Sequence, residues 1–426
     1  MRKINYLSIL TLFAFVWNIQ ISNAQIPEKD PNCKEIIGYY ASWQMYKRSG
    51  AVIPEALDYS RYTILNYSFF APDSLGYIAG IDPWADTILL RGKIDWSKPQ
   101  PAYYPNTSIV DYAHLWGVKL MISIGGWTLS DNFPEVANNP VKRARFASEC
   151  NRLIREYQFD GIDIDWEYPC YEEHSGRPEV DKKNFTLFMK QIRDSIDALG
   201  AKHNRHYLLT AAFGANLSQM ECIEYEEVSK FMDYINMMTY DFNGSWTDIA
   251  THNSPLYAPA QGYEGSLDEA FKLLMKRNVP TKKINMGVAF YGRSLKGFKN
   301  GKPELFGEHK GVVDEEMWPI WEGMPSYYYI MEKINLFEEK WDDVAKVPYL
   351  INKKDTSFVS YDNEKSIRLK AQYVMDKKCG GVIIWDATND YILKKPGTLL
   401  ISGTPLADQL VEVLQPCERP RIKKRY

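Results

Sequence analysis

The chain has 426 residues, 45% hydrophobic and 25% charged, with a formal net charge of −3. That is enough for one large α/β barrel carrying an insertion, or for two ordinary domains. The charge balance offers no electrostatic basis for binding nucleic acid or another polyanion, and a neutral substrate fits it better.

At the N-terminus, Arg2 and Lys3 precede an apolar run over 6–17, and Ser22-Asn23-Ala24 offers a small-x-small cleavage site before Gln25. This reads as a secretory signal over 1–24, so the protein is expected outside the cytoplasm, either extracellular or in a Gram-negative periplasm. The run is shorter than the roughly 20 apolar residues a membrane span needs. Cys33, Cys150, Cys170, Cys222, Cys379 and Cys417 contain no CxxC pair, which argues against zinc, and neither metal nor cofactor is expected. Pairing among them is open, and Cys150 reads equally as a buried thiol.

Short apolar runs predict strands over 35–42, 62–70, 119–125, 161–165, 207–211, 234–238, 284–288 and 381–385. Helical periodicity falls between them, clearest over 141–157, 182–199, 267–277 and 363–376. Strands alternating with helices in this number predict a closed (β/α)₈ TIM barrel, whose chemistry sits at the C-terminal strand ends. Two connections exceed what a barrel needs. Residues 71–110, rich in Pro, Trp and Tyr, predict an extended loop over the barrel mouth. Residues 294–361 predict an inserted small domain. The expected organisation is therefore a signal (1–24), a first barrel part (25–293), the insertion (294–361), a last barrel part (362–417) and a basic tail (418–426).

The most informative stretch is 160–169, Asp-Gly-Ile-Asp-Ile-Asp-Trp-Glu-Tyr-Pro. Asp163, Asp165 and Glu167 alternate with Ile162, Ile164 and Trp166, the period of a β-strand. Extended, the segment lines three carboxyls along one face about 6.6 Å apart. Like charges packed so closely suppress one another's ionisation, and burial adds to the effect. The arrangement suits a carboxyl kept protonated near neutral pH as a general acid. A calcium loop fits poorly, because Gly161 precedes the carboxyls and the isoleucines interrupt them. A solvated acidic strand fits poorly with the flanking Phe159 and isoleucines.

These residues resemble the DGxDxDWExP signature of the glycoside hydrolase family 18 chitinases. Ser123-Ile124-Gly125-Gly126 is similar to that family's strand-three motif. Met238-Thr239-Tyr240-Asp241 resembles its strand-six motif, Tyr291-Gly292-Arg293 its strand-seven motif, and Trp385 its strand-eight tryptophan. The resemblance implies that Glu167 donates the proton, Asp165 orients and polarises the substrate's acetamido group, and Asp163 lies beneath as a charge partner. It implies that the Tyr240 hydroxyl bonds the acetamido carbonyl and that Trp385 floors the −1 sugar. Tyr39, Gly126, Met238, Asp241, Tyr291 and Arg293 match positions lining the site; Tyr39 and Met238 read equally as barrel core, and Gly126, with Ser123 and Gly125, as a close-packed structural turn. Trp43 matches a groove aromatic on the glycone side, Trp127 and Trp246 on the aglycone side. Trp166 reads as packing.

The resemblance further implies an α+β insertion at 294–361 and hydrolysis of β-1,4-linked N-acetylglucosamine with the substrate's own acetamido oxygen as nucleophile. The expected partner is chitin or a chito-oligosaccharide, acted on by a monomer, with no nucleic acid and no membrane span. Two alternatives remain: an endo-β-N-acetylglucosaminidase acting on N-glycans or peptidoglycan-like glycans, and a non-catalytic chitin-binding lectin.

Overall fold

The computed structural model describes residues 33–416 except 261, 396, 397 and 399. The signal and tail expected over 1–24 and 418–426, and Cys417, lie outside the described residues. Eight parallel strands close a barrel: β1 Glu35–Ala41, β2 Ile64–Pro72, β3 Lys119–Gly125, β4 Gly161–Asp165, β5 Leu208–Gly214, β6 Tyr234–Met238, β7 Ile284–Ala289 and β8 Gly381–Trp385. Each pairs with its sequence neighbours, and β1 closes the ring by pairing with both β8 and β2.

The sequence reading matches β3, β4, β6 and β8 to the residue and misplaces β2 and β5. Residues 62–63 stay out of β2, since Tyr62 caps the 3₁₀ turn Tyr59–Arg61. At its other end β2 runs on to Pro72 because a short antiparallel strand, Ile78–Gly80, pairs back onto it. β5 continues to Gly214 because Phe213 packs against Phe185 and Tyr225. The helices Pro140–Tyr157, Asp181–His203, Leu267–Lys276 and Glu364–Asp376 lie where periodicity predicts them.

The 71–110 connection is more regular than an extended loop. Besides the returning strand it holds the helix Pro83–Arg91, started by Asp82, whose side chain accepts hydrogen bonds from the Trp84 and Ala85 N–H groups. Asp followed by Pro at the first helical position is itself a helix-start signal, set here among prolines that favour a loop reading. Between β7 and β8, strands Arg293–Leu295, Glu338–Asp342, Val347–Asn352 and Ser357–Ser360 form a separate antiparallel sheet.

Of the three buried apolar clusters among the described residues, the two in the barrel follow from strand alternation. The larger lies between barrel and helices and takes Ile162, Ile164 and Trp166 from the β4 segment. Trp166 is 1% exposed and stacks on Phe133 with centroids 5.5 Å apart, so it packs and does not face the site. The smaller cluster fills the barrel interior with Tyr39, Met238, Tyr240 and Tyr291, against which Trp385 packs. Among the described residues, no helix is long and apolar enough to cross a membrane. Cys170 and Cys222 form a disulfide, Cys33 is also disulfide-bonded, and Cys150 and Cys379 are buried free thiols.

Candidate active site

A cavity of about 990 Å³ opens at the C-terminal ends of the barrel strands. It is lined by Asp165, Glu167, Tyr240, Tyr39, Trp43, Gly126, Trp127, Met238, Asp241, Trp246, Tyr291, Arg293 and Trp385. Of the residues picked from sequence only Asp163 does not line it; this carboxyl lies fully buried below. Tyr39 and Met238, ambiguous in the sequence, both line the cavity and belong to the interior core.

The β4 carboxyls meet three different environments. Asp163 accepts hydrogen bonds from the hydroxyls of Tyr39 (2.9 Å), Ser123 (2.8 Å) and Thr210, and from the Asn236 amide (3.3 Å). Burial still holds its carboxyl above the usual range, with those four bonds opposing it. Asp165, one pleat higher, has a buried Oδ1 with no hydrogen-bond partner. Burial, then Glu167 and Asp163, push it well up. Glu167 stands where the strand leaves the barrel. Burial pushes its carboxyl up to about 7 and Asp241 adds to the effect, against hydrogen bonds from Tyr168 and the Trp127 backbone. Because the three groups interact, their protons belong to the cluster.

The backbone that carries Glu167 is held on both sides. Its N–H donates to Ser130 Oγ at 2.9 Å, and its carbonyl lies 3.0 Å from His174 Nδ1. On the neighbouring β3, the Gly126 N–H donates to the Asp165 carbonyl at 2.7 Å. That approach requires glycines: Gly125 and Gly126 have φ of 116° and 97°. A Cβ on Gly125 would sit 2.1 Å from the Asp165 carbonyl oxygen, and one on Gly126 2.9 Å from the Phe69 ring.

Around the carboxyls, aromatic rings form the floor and walls. Trp385 stacks on Phe69 with centroids 5.7 Å apart and an 18° tilt, while Tyr39 and Trp43 stand 5.8 Å and 6.3 Å away. Trp127 packs against His174, Tyr171 and Tyr168. Arg293 bonds Asp241 at 2.8 Å and Glu322 at 3.1 Å, with its guanidinium 4.8 Å from the Trp246 ring centroid. This leaves one face of planar apolar rings and one group of carboxyls, suited to a ring-shaped, hydroxylated ligand. Among the described residues no group of His, Cys, Asp and Glu is arranged to hold a metal ion.

Sequence reasoning missed Phe69, Tyr168 and Asp386, and also Glu322, Tyr328 and Tyr329, all of which line the cavity. The first three carried a signal: Phe69 near the end of a predicted barrel strand, Tyr168 and Asp386 directly after Glu167 and Trp385. The others come from the 294–361 segment, where no motif points to them.

The family model described as glycosyl hydrolases family 18 matches residues 35–390. The chain belongs to that family. This family 18 hydrolase is 33% identical over 402 residues to "Chitinase A1" of Niallia circulans, covering 84% of the chain and 56% of that protein. To "Endochitinase 1" of Metarhizium robertsii it is 31% identical over 373 residues, 83% of the chain and 80% of the relative. The chain thus spans little more than half of the first relative's length. The solved Chitinase ChiA74 from Bacillus thuringiensis matches with a TM-score of 0.78 at 30% identity, over 92% of this chain and 71% of that one. A family 18 N-acetylglucosaminidase from Paenibacillus barengoltzii matches with a TM-score of 0.71 at 28% identity, over 89% and 99%.

Asp163→Ala should destabilise the barrel by about 2–4 kcal/mol, since it strands four buried donors without an acceptor. Asp163→Asn keeps the shape and accepts from some of the same hydroxyls, so it should lose less. Denaturant unfolding measures both; equal stability of the Ala variant and wild type would contradict the network.

Proposed function

We propose that this glycoside hydrolase is an exported, monomeric chitinase that cleaves β-1,4-linked N-acetylglucosamine chains by substrate-assisted, retaining catalysis. One observation carries the reading: a carboxyl raised to about 7, Glu167, stands beside a buried carboxyl, Asp165, whose Oδ1 has no partner, over an aromatic floor. Glu167, raised to about 7, stays partly protonated at neutral pH and delivers that proton to the glycosidic oxygen. Asp165 receives the acetamido N–H, orients the carbonyl oxygen toward the anomeric carbon, and offsets the positive charge of the oxazolinium ion. The Tyr240 hydroxyl holds the acetamido carbonyl, and Trp385 supports the distorted −1 ring. Asp163 keeps the strand acidic from below.

On this reading Trp43 stacks on a glycone sugar and Trp127 and Trp246 on aglycone sugars. Residues 294–361 act as an inserted α+β domain whose Glu322, Tyr328 and Tyr329 complete one wall; their place in the cavity lining supports this. Export rests on the N-terminal apolar run and cleavage site. The names of the relatives, chitinases from a bacterium and a fungus, support chitin as substrate.

Glu167→Gln should fold and bind chito-oligosaccharides but lose turnover by at least 10² to 10⁴, the usual worth of general acid catalysis. In the wild type the active form is protonated Glu167. Its population falls as pH rises through about 7, so kcat/KM should show an alkaline limb there and none in the Gln variant's residual rate. Wild-type-like turnover by the variant would refute the role.

Sugar release from colloidal chitin and from a high-mannose glycoprotein, measured side by side, separates the substrates. Release from chitin alone is expected. Release confined to the glycoprotein would favour the endo-β-N-acetylglucosaminidase, and binding to chitin without release would favour the lectin.

A further inference from the structure

The Cys170–Cys222 disulfide joins two loops that both reach the cavity, yet neither cysteine lines it. Cys170 lies three residues after Glu167, in the stretch that supplies Tyr168 and Tyr171 to the wall. Cys222 caps the helix Leu217–Glu221, next to the wall residues Asn216 and Gln219. A five-residue helix has too few hydrogen bonds to be stable alone and depends on what it is tied to. The two loops also converge in space. A Cβ on Gly214 would meet Gln219 Oε1 at 2.2 Å and the Tyr168 ring at 2.8 Å. The first loop in turn supports Trp127, whose ring centroid lies 4.4 Å from that of His174 and 5.8 Å from that of Tyr171.

The other half of the site hangs on different segments. Trp43, Phe69 and Trp385 come from β1, β2 and β8 ends and contact one another. The Glu167 N–H is fixed by Ser130, and only its carbonyl, 3.0 Å from His174 Nδ1, meets the Cys170 loop through the backbone.

We propose that the Cys170–Cys222 disulfide is a positioning element for the leaving-group side of the cleft, acting chiefly on its affinity for sugars beyond the cleaved bond. This rests on the chitinase reading and on its assignment of Trp127 to the aglycone side. The physical effect is preorganisation: cross-linking removes the ordering cost that a free wall would pay each time a sugar binds.

The test compares wild type with Cys170→Ser/Cys222→Ser on two substrates. Chitohexaose reaches well past the cleaved bond, whereas in β-chitobiosyl fluoride the leaving group is a single atom. The double variant should raise KM for chitohexaose by about 10-fold and KM for the fluoride by no more than about 2-fold, with any fall in kcat common to both substrates. If the variant folds poorly, wild type treated with dithiothreitol supplies the same comparison. There the S–S bond takes two electrons and two protons to give two thiols, and the reagent closes to its cyclic disulfide. A parallel treatment of Cys33→Ser, which lacks the other bridge, isolates the effect of opening Cys170–Cys222. Equal losses on both substrates, or no loss on chitohexaose, would overturn the proposal. Absence of turnover by the wild-type chain on either substrate would instead overturn the functional reading beneath it.

Discussion

Three carboxyls stacked on one strand and withdrawn from water set the terms for everything around them. The donors that reach Asp163 are all neutral, three hydroxyls and an amide, so they solvate the carboxyl without bringing an opposing charge. Asp165 then faces one carboxyl below and another above with no donor of its own on Oδ1. Burial and mutual repulsion push both Asp165 and Glu167 up, so the upper pair holds a proton between them near neutral pH. A barrel interior is a reasonable place for this constraint. Eight rigid strands hold the carboxyls in register, and their alternation keeps Ile162 and Ile164 in the outer core.

The nearby strong cation is committed elsewhere. Arg293 is spent on Asp241 and Glu322, which keeps its charge at the wall of the cavity. Had it reached Asp165, the carboxyl would be ionised and paired, and the upward pressure on Glu167 would weaken. The Asp241–Arg293–Glu322 group also ties the end of β6 to the sheet inserted before β8, since Arg293 opens that sheet's first strand. One ion-pair group thus serves the electrostatics and the shape of the cleft together.

The carboxyl strand was legible in the sequence because a period of two with one apolar face admits few other structures, and burial on both sides forbids a slip of register. The barrel was legible for a related reason: interior strands are short, apolar and flanked by helices of regular period. Strand ends were less so, because partners outside the strand decide them, as Ile78–Gly80 does for β2 and Phe185 and Tyr225 do for β5. Within the site, motif residues and the tryptophans could be read, while Phe69 required knowing which way a strand-end side chain turns. Glu322, Tyr328 and Tyr329 reach the cavity only through tertiary packing of a segment whose local pattern carries no trace of it.

On the proposed reading the carboxyl stack supplies an acid and a polarising base but no nucleophile, leaving that part to the substrate's acetamido oxygen. Proton NMR of freshly mixed enzyme and N-acetylglucosamine tetramer, with cellotetraose alongside, tests this directly within the minutes before mutarotation. Opening of an oxazolinium ion by water from the departed side yields first-formed β-anomer, and cellotetraose, which lacks the acetamido group, should stay intact. An initial α-anomer, or efficient cleavage of cellotetraose, would contradict the account.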